Sequence, residues 1–138
     1  MKDKSFIDTN IFVYAHLDDT KNGAKSNIAL KLLESLPVLI TSTQVLNEYY
    51  SVLLKNKVAD NLIQDNVETI IDITDIHVAQ ITTIRLAHKI KLKYKFSYWD
   101  SLIVARALEA KCDILYSEDM QHKQLIENTL TIVNPFKG

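Results

Sequence analysis

The sequence predicts an α/β fold in which helices cover both faces of a mainly parallel sheet. Short apolar runs alternate with segments where apolar residues recur every three or four positions, the pattern of strands separated by helices. Parallel strands joined by right-handed crossovers require helices on both faces of the sheet. The length of 138 residues and a hydrophobic content of 47% fit one domain, residues 1–138, with its own core.

The predicted elements follow from these patterns in chain order. Four apolar runs are the predicted strands: residues 5–7, 38–41, 114–116 and 131–133. A weaker fifth strand is predicted around residues 73–76. Apolar stripes at helical spacing predict helices over residues 24–36, 44–54, 60–71, 78–90 and 98–110. The active site of such a fold is expected beyond the carboxyl ends of the strands.

Composition excludes several classes of protein. The chain has only two glycines, so it has neither a Walker loop nor a dinucleotide-binding fingerprint, both of which need several. Its single cysteine, Cys112, excludes a disulfide framework and suits a reducing compartment. The N-terminus lacks the apolar run of a signal peptide, and no stretch approaches the roughly 18 apolar residues of a membrane helix. We therefore expect a cytoplasmic protein without a membrane partner.

The net charge of −1 conceals an uneven distribution of charge along the chain. Residues 76–99 contain no acid and five bases, whereas acids outnumber bases on either side. Such a basic segment is typical of a solvated helix end and equally of a surface that attracts phosphates.

Four acidic residues are predicted to meet at one edge of the sheet. Asp8 follows the first strand and Asp119 follows the 114–116 strand closely. Asp100 stands where the 98–110 helix begins, and Glu48 lies in the helix after the second strand. No lysine or arginine lies within three residues of Asp8, Glu48 or Asp100.

Each acid also has a purely structural interpretation. Asp8 is a suitable cap for the next helix, and Ser97 with Asp100 has the form of a capping box. Asp119 is placed to cap a short helix over residues 120–126, and Glu48 fits a solvated helix surface. Jointly, four uncompensated acids would repel one another, and a divalent cation removes that repulsion. Mg²⁺ or Mn²⁺ held by acids, without a phosphate loop, suits phosphodiester hydrolysis.

These segments together resemble the PIN-domain nucleases, and most closely the VapC-type toxins of toxin–antitoxin pairs. The segments are DTN at 8–10, QVLNE at 44–48, YWDSLI at 98–103 and SEDMQ at 117–121. The resemblance covers nearly the whole chain, in the right order. It implies an αβα sandwich with about five parallel strands, endoribonuclease activity on an RNA substrate, a homodimer and a cognate antitoxin protein.

The resemblance also implies roles for individual residues. Asp8, Glu48, Asp100 and Asp119 would be the catalytic, metal-binding quartet. Thr9, Asn10 and Ser117 would support it. Glu118 is an alternative to Asp119, because the family often has a glycine shortly after this segment where this chain has His122 and Lys123.

The basic segment acquires a role from this interpretation. Lys89, Lys91, Lys93 and Lys95 are predicted to hold RNA phosphates, and the aromatic residues among them to stack on unpaired bases. For Phe96 and Trp99, however, burial in the core is the favoured prediction. Two other functions stay open: a catalytically weak RNA-binding or interaction module, and a Mg²⁺-dependent phosphatase. The phosphatase is disfavoured because Asn10 stands where its second acid is expected.

Overall fold

The computed structural model describes residues 3–17 and 23–137. In chain order its elements are β1 (Lys4–Ile7), α1 (Thr9–His16), α2 (Gly23–Ser35), β2 (Val38–Ser42), α3 (Thr43–Lys55), α4 (Asp60–Ile73), β3 (Asp75–His77), α5 (Ile81–Tyr94), α6 (Tyr98–Glu109), β4 (Ile114–Tyr116), β5 (Leu125–Ile126) and β6 (Leu130–Val133). The order of elements follows the sequence-based prediction, to which the structure adds α1 and β5.

The sheet has the strand order β3-β2-β1-β4-β6-β5. Five of its strands are parallel, and β5 pairs with β6 in the antiparallel direction. Helix α1 contacts α2 and α3, and α3 contacts α4, while α5 packs against α6. Right-handed crossovers place these two groups on opposite faces of the sheet, so the predicted three-layer αβα fold is confirmed.

The five predicted strands are confirmed, with boundaries that differ by one or two residues. The fifth, weaker prediction is the true β3, shifted toward His77. The predicted helix over residues 78–90 begins three residues later and continues to Tyr94. Its start is fixed by a capping box, in which the Gln80 backbone N–H donates to the Thr83 hydroxyl.

The core lies on both faces of the central strands. Alternate side chains of β1 point to opposite faces, and Phe6 and Ile7 are both fully buried, as a strand covered on two sides requires. Helix α1 buries Ile11 and Phe12 directly after β1. This short, apolar helix therefore holds the end of β1 rigidly. Across the described residues, no helix has the length and apolar character that crossing a bilayer demands.

Candidate active site

The carboxyl ends of β1 and β4 form the centre of the candidate site. The chain proceeds outward from β1 through β2 to β3, and then returns to β4 on the other side of β1. The strand order thus reverses between β1 and β4, and a crevice opens beyond the strand ends at such a reversal. Asp8 directly follows β1 and Ser117 directly follows β4, so both residues lie at this crevice.

Asp8 is buried, and both oxygens of its carboxylate accept hydrogen bonds. Oδ1 accepts from the backbone N–H of Thr9 at 2.7 Å, and Oδ2 accepts from the hydroxyl of Ser117 at 2.7 Å. Asp8 is the N-cap of α1, which confirms the capping interpretation. The bond from Ser117, 109 positions away, also ties it to β4. Its role therefore extends beyond capping.

Glu48 reaches the same place from α3. Its Oε2 accepts from the Thr9 hydroxyl at 2.8 Å, and its Oε1 accepts from the Gln44 side-chain amide at 2.8 Å. Thr9 consequently bonds to two acids, through its backbone N–H to Asp8 and through its hydroxyl to Glu48. Glu48 is not the freely solvated helix residue that its sequence context also allowed.

Asp100 occupies the first turn of α6 and is half-buried. Its backbone N–H donates to the Ser97 hydroxyl at 3.1 Å, which is one half of the expected capping box. The other half is missing, because within the described residues the Asp100 carboxylate makes no hydrogen bond to the backbone. The carboxylate therefore does not cap the backbone of α6, and the Ser97 side chain stabilises its charged form.

Asp119 and Glu118 are adjacent but have different partners. The Asn10 amide donates to Asp119 Oδ2 at 3.2 Å, which ties Asp119 to the start of α1 beside Asp8. Glu118 accepts from the Tyr14 hydroxyl at 2.8 Å and forms an ion pair with Lys25. Glu118 is therefore neutralised locally, whereas Asp119 has only an amide as its partner among the described side chains.

The short helix predicted over residues 120–126 is wrong. After β4 the chain forms bends and turns and then enters β5 at Leu125, where it pairs with β6. The backbone N–H of Lys123 donates to the carbonyl of Ile132. Pairing with the edge of the sheet therefore provides the backbone hydrogen bonds that a helix would otherwise form within itself. Asp119 is not a helix cap.

The acids destabilise one another's charged forms. Burial raises the pKa of Asp8 to about 6, and the charges of Glu48 and Asp100 act in the same direction, against the hydrogen bonds from Ser117 and Thr9. Burial also raises the pKa of Asp100, to which the charges of Asp119 and Glu48 add. All four acids are thus in electrostatic contact, and a bound cation would relieve their repulsion.

The donor set fits a hard divalent cation that keeps much of its water. Every candidate ligand is an oxygen, which Mg²⁺ and Mn²⁺ prefer. In addition, Asn10 Oδ1 is inaccessible to solvent and has no hydrogen-bond partner in the described chain. No three acidic, histidine or cysteine side chains of the described residues come close enough to form a closed metal cage. Mg²⁺ needs only one or two carboxylates when substrate phosphates and waters complete its coordination.

The four lysines predicted to bind RNA differ in their partners. Lys89, Lys91, Lys93 and Lys95 are exposed at the end of α5, but Lys93 is paired with Glu127. The His88 and Tyr98 rings lie 6.1 Å apart, which brings this end of α5 alongside the start of α6.

The expected burial of Trp99 is wrong, and that of Phe96 is partly right. Phe96 packs against the core, stacked on Tyr94 with their ring centroids 5.9 Å apart. Trp99, in contrast, is 63% exposed. It occupies the first turn of α6, where the inner positions are taken by Ser101 and Leu102, so its ring points outward.

Two features of the site lie outside the sequence-based prediction. Gln44 Nε2 donates both to Glu48 and, at 3.2 Å, to the backbone carbonyl of Trp99, so it clamps α3 to α6. The spacing of four residues between Gln44 and Glu48 on one helix face is the signal that indicates their contact. The ion pair of Lys25 with Glu118 joins residues 93 positions apart, and no local pattern indicates it.

A known protein family matches most of the chain in sequence. The sequence profile of the PIN domain matches residues 5–127. No curated protein is similar to the chain in sequence at a significant level.

Solved structures share the fold at low sequence identity. A toxin–antitoxin complex from Klebsiella pneumoniae superposes with a TM-score of 0.73 at 16% identity, over 96% of this chain and 98% of that one. The VapC20 toxin of Mycobacterium tuberculosis, which cleaves the Sarcin-Ricin loop, gives 0.66 at 17% identity, over 80% and 86%. VapBC2 from Rickettsia felis, bound to a promoter DNA fragment, gives 0.65 at 17% identity, over 95% and 99%.

Proposed function

The chain belongs to the PIN domain family, and on that premise we propose that it is a metal-dependent endoribonuclease that hydrolyses phosphodiester bonds in RNA. The observation that supports this most is the electrostatic contact of Asp8, Glu48, Asp100 and Asp119 at the reversal of strand order. A cluster of uncompensated carboxylates in a crevice repels phosphate unless cations are present. The same cluster therefore requires a metal and makes the reaction depend on it.

The four acids would hold Mg²⁺ or Mn²⁺, with Asp8 and Asp100 as the central ligands. A bound divalent ion lowers the pKa of a water molecule and neutralises charge that develops on the phosphate. The protein's own residues set the geometry of this centre. Ser117 and the Thr9 backbone fix the Asp8 carboxylate, and the Thr9 hydroxyl fixes Glu48.

Asn10 would position Asp119 through its amide, and its buried Oδ1 would face the same centre. Glu118 serves a different purpose in this proposal. Its bonds to Tyr14 and Lys25 hold the segment after β4 against α1 and α2, which fixes the backbone that carries Asp119. We therefore prefer Asp119 to Glu118 as the fourth acid.

A cognate antitoxin and a homodimeric state belong to the same proposal. Among the structural neighbours, the Klebsiella pneumoniae structure is described as a toxin–antitoxin complex, and the Rickettsia felis structure as VapBC2 bound to a promoter DNA fragment. The likeness to an RNA-cleaving toxin of Mycobacterium tuberculosis supports RNA as substrate. We infer that this chain is the toxin of such a pair and acts on cytoplasmic RNA.

The test is metal-dependent cleavage of RNA by the purified protein. Cleavage is expected with Mg²⁺ or Mn²⁺ and is expected to stop when EDTA is added. The substitutions Asp8→Asn and Asp100→Asn should each abolish cleavage while the circular dichroism spectrum stays unchanged. Asp72→Asn, an exposed acid on α4, is the matched control and should cleave normally. Full activity of the Asp100→Asn protein would overturn the assignment, and binding of RNA without cleavage would favour a binding module.

A further inference from the structure

A groove of about 600 Å³ opens beside Glu48, between α3 and the start of α6. Its apolar surface comes from Trp99 and Leu102, and its polar surface comes from the side chains of Gln44 and Asn47. Glu48 lines the groove and also bonds to Thr9 in the acidic site. A molecule in the groove therefore lies directly beside Glu48, one of the four acids.

We propose that this groove binds one unpaired nucleobase of the RNA, stacked on Trp99, next to the phosphate that is cleaved. This inference rests on the proposed ribonuclease function. It identifies the part of the RNA that the protein would recognise, an unpaired base. Single-stranded RNA is commonly held by bases stacked on aromatic side chains beside basic residues.

The exposure of Trp99 supports the stacking. A tryptophan that is 63% exposed presents a large aromatic face on which a base can stack. The Trp99 backbone carbonyl accepts from Gln44, which fixes the backbone that carries the ring. The Tyr98 ring packs against the Trp99 ring edge to face at 5.4 Å. Contacts that restrict the ring before binding reduce the entropy lost when a base stacks on it.

The polar lining matches the edge of a base. Gln44 uses its Nε2 for Glu48 and Trp99, which leaves its carbonyl oxygen as an acceptor. Asn47 is exposed, and its amide makes no hydrogen bond with the described part of the chain. Together they offer a donor and acceptors without charge, as a nucleobase edge requires.

The charges around the groove favour RNA over a protein segment as occupant. Trp99 follows a segment, residues 76–99, that has five bases and no acid. The contact between His88 and Tyr98 places the end of that segment beside α6. A nucleotide seated on Trp99 would thus lie beside Glu48 and directly after a basic segment, and basic residues attract phosphates.

Trp99 is the only tryptophan in the chain, so its fluorescence reports on the groove alone. The experiment titrates the Asp8→Asn/Asp100→Asn protein in EDTA with single-stranded eight-nucleotide RNAs of the four compositions. This double variant prevents cleavage and removes two of the four charges that would repel phosphate in the absence of metal. A fully paired duplex of equal length is the control. Saturable quenching by unpaired RNA, and little by the duplex, is expected.

Variants separate stacking from general binding. By anisotropy of labelled RNA, Trp99→Ala should weaken binding about 10–100-fold, whereas Trp99→Phe should keep it within about threefold. Leu62→Ala, which truncates an apolar residue that is 54% exposed on α4, is the matched control and should bind normally. Asn47→Ala should reduce the difference in affinity among the four RNAs.

Two results would overturn the proposal. One is RNA binding without quenching, with Trp99→Ala binding as tightly as the parent. The other is that acrylamide fails to quench Trp99 fluorescence in the free protein and that the Trp99→Ala variant sediments differently from the parent. Both observations together would mean that a second copy of the chain covers the ring. The ribonuclease assignment is tested separately, since quenching is measured without metal. Cleavage without quenching rejects only the base site, and quenching without cleavage rejects only the nuclease.

Discussion

The Ser117 hydroxyl donates a 2.7 Å hydrogen bond to Asp8 Oδ2 and so joins the ends of β1 and β4 within the crevice. Both side chains are buried, Ser117 fully and Asp8 with 4% exposed. A hydroxyl that donates to a carboxylate stabilises its charged form, which is the form that binds a metal. The Ser117 hydrogen bond therefore lowers the pKa of Asp8, against the burial that raises it.

Removing this hydroxyl should weaken metal binding. For Ser117→Ala we expect the concentration of Mn²⁺ that gives half-maximal cleavage to rise about 10–100-fold, because partners of metal ligands typically contribute this much. The measurement is a metal titration of the cleavage rate at constant pH. Ser5→Ala is the control, since Ser5 is equally buried on β1 but its hydroxyl has no partner in the described part of the chain. Equal metal dependence in both variants would contradict the role of Ser117.

The two neighbouring acids after β4 should respond oppositely to substitution. Asp119→Asn should reduce the cleavage rate by more than about 100-fold. This loss exceeds the roughly 10–100-fold effect that is typical when a partner of a metal ligand, and not the ligand itself, is removed. Glu118→Gln should retain cleavage within about threefold and lower thermal stability instead, because it loses the ion pair with Lys25. Single-turnover cleavage and thermal unfolding distinguish the two. A larger catalytic loss in Glu118→Gln would exchange their roles.

The backbone and the acids could largely be predicted from the sequence, for physical reasons. Apolar runs bounded by polar residues specify parallel strands, and parallel strands bring their carboxyl ends to one edge. The positions of Asp8 and Ser117 follow from that rule alone. β5 was not predictable in this way, because a two-residue edge strand has no periodicity.

Side-chain partners over long distances were also beyond prediction. The pairing of Glu118 with Lys25, and the outward direction of Trp99, depend on how α1, α2 and α6 pack. An apolar side chain in the first turn of a helix is buried or exposed according to the angle at which the helix meets the sheet. The sequence pattern around Trp99 contains no information about that angle.

The lysines at the end of α5 should contribute unequally to RNA binding. Replacing Lys89, Lys91 and Lys95 with Gln should lower the slope of log affinity against log salt by about 2, because each lysine that neutralises a phosphate of single-stranded RNA adds about 0.7 to it. Lys93→Gln should change the slope less, because Lys93 is paired with Glu127. Lys31→Gln, on the exposed surface of α2, is the control. Identical slopes for the triple variant and the parent would remove this segment from the RNA interface.

The metal-free protein should become more stable when Asp8 loses its charge. Because folding raises the pKa of Asp8 from 3.8 to about 6, the folded state binds the proton more tightly than the unfolded state. Stability contributed by the proton is therefore present below pH 3.8 and is lost as the pH rises through 6. At pH 7.5 in EDTA, the buried charge costs up to about 3 kcal/mol, since one pKa unit corresponds to about 1.4 kcal/mol.

Asp8→Asn should thus raise the free energy of unfolding by about 1–3 kcal/mol at pH 7.5 in EDTA. Asparagine still caps α1 and still pairs with Ser117, so the gain reflects charge alone. Urea unfolding of the variant and the parent at pH 7.5 and at pH 4 measures this gain in the free energy of unfolding. The difference between variant and parent should nearly vanish at pH 4. Asp72→Asn, which is exposed, should show no such pH-dependent gain. If Asp8→Asn were less stable than the parent at pH 7.5, the charge of Asp8 would stabilise the folded state. That result would contradict the destabilisation expected of a buried carboxylate without its metal.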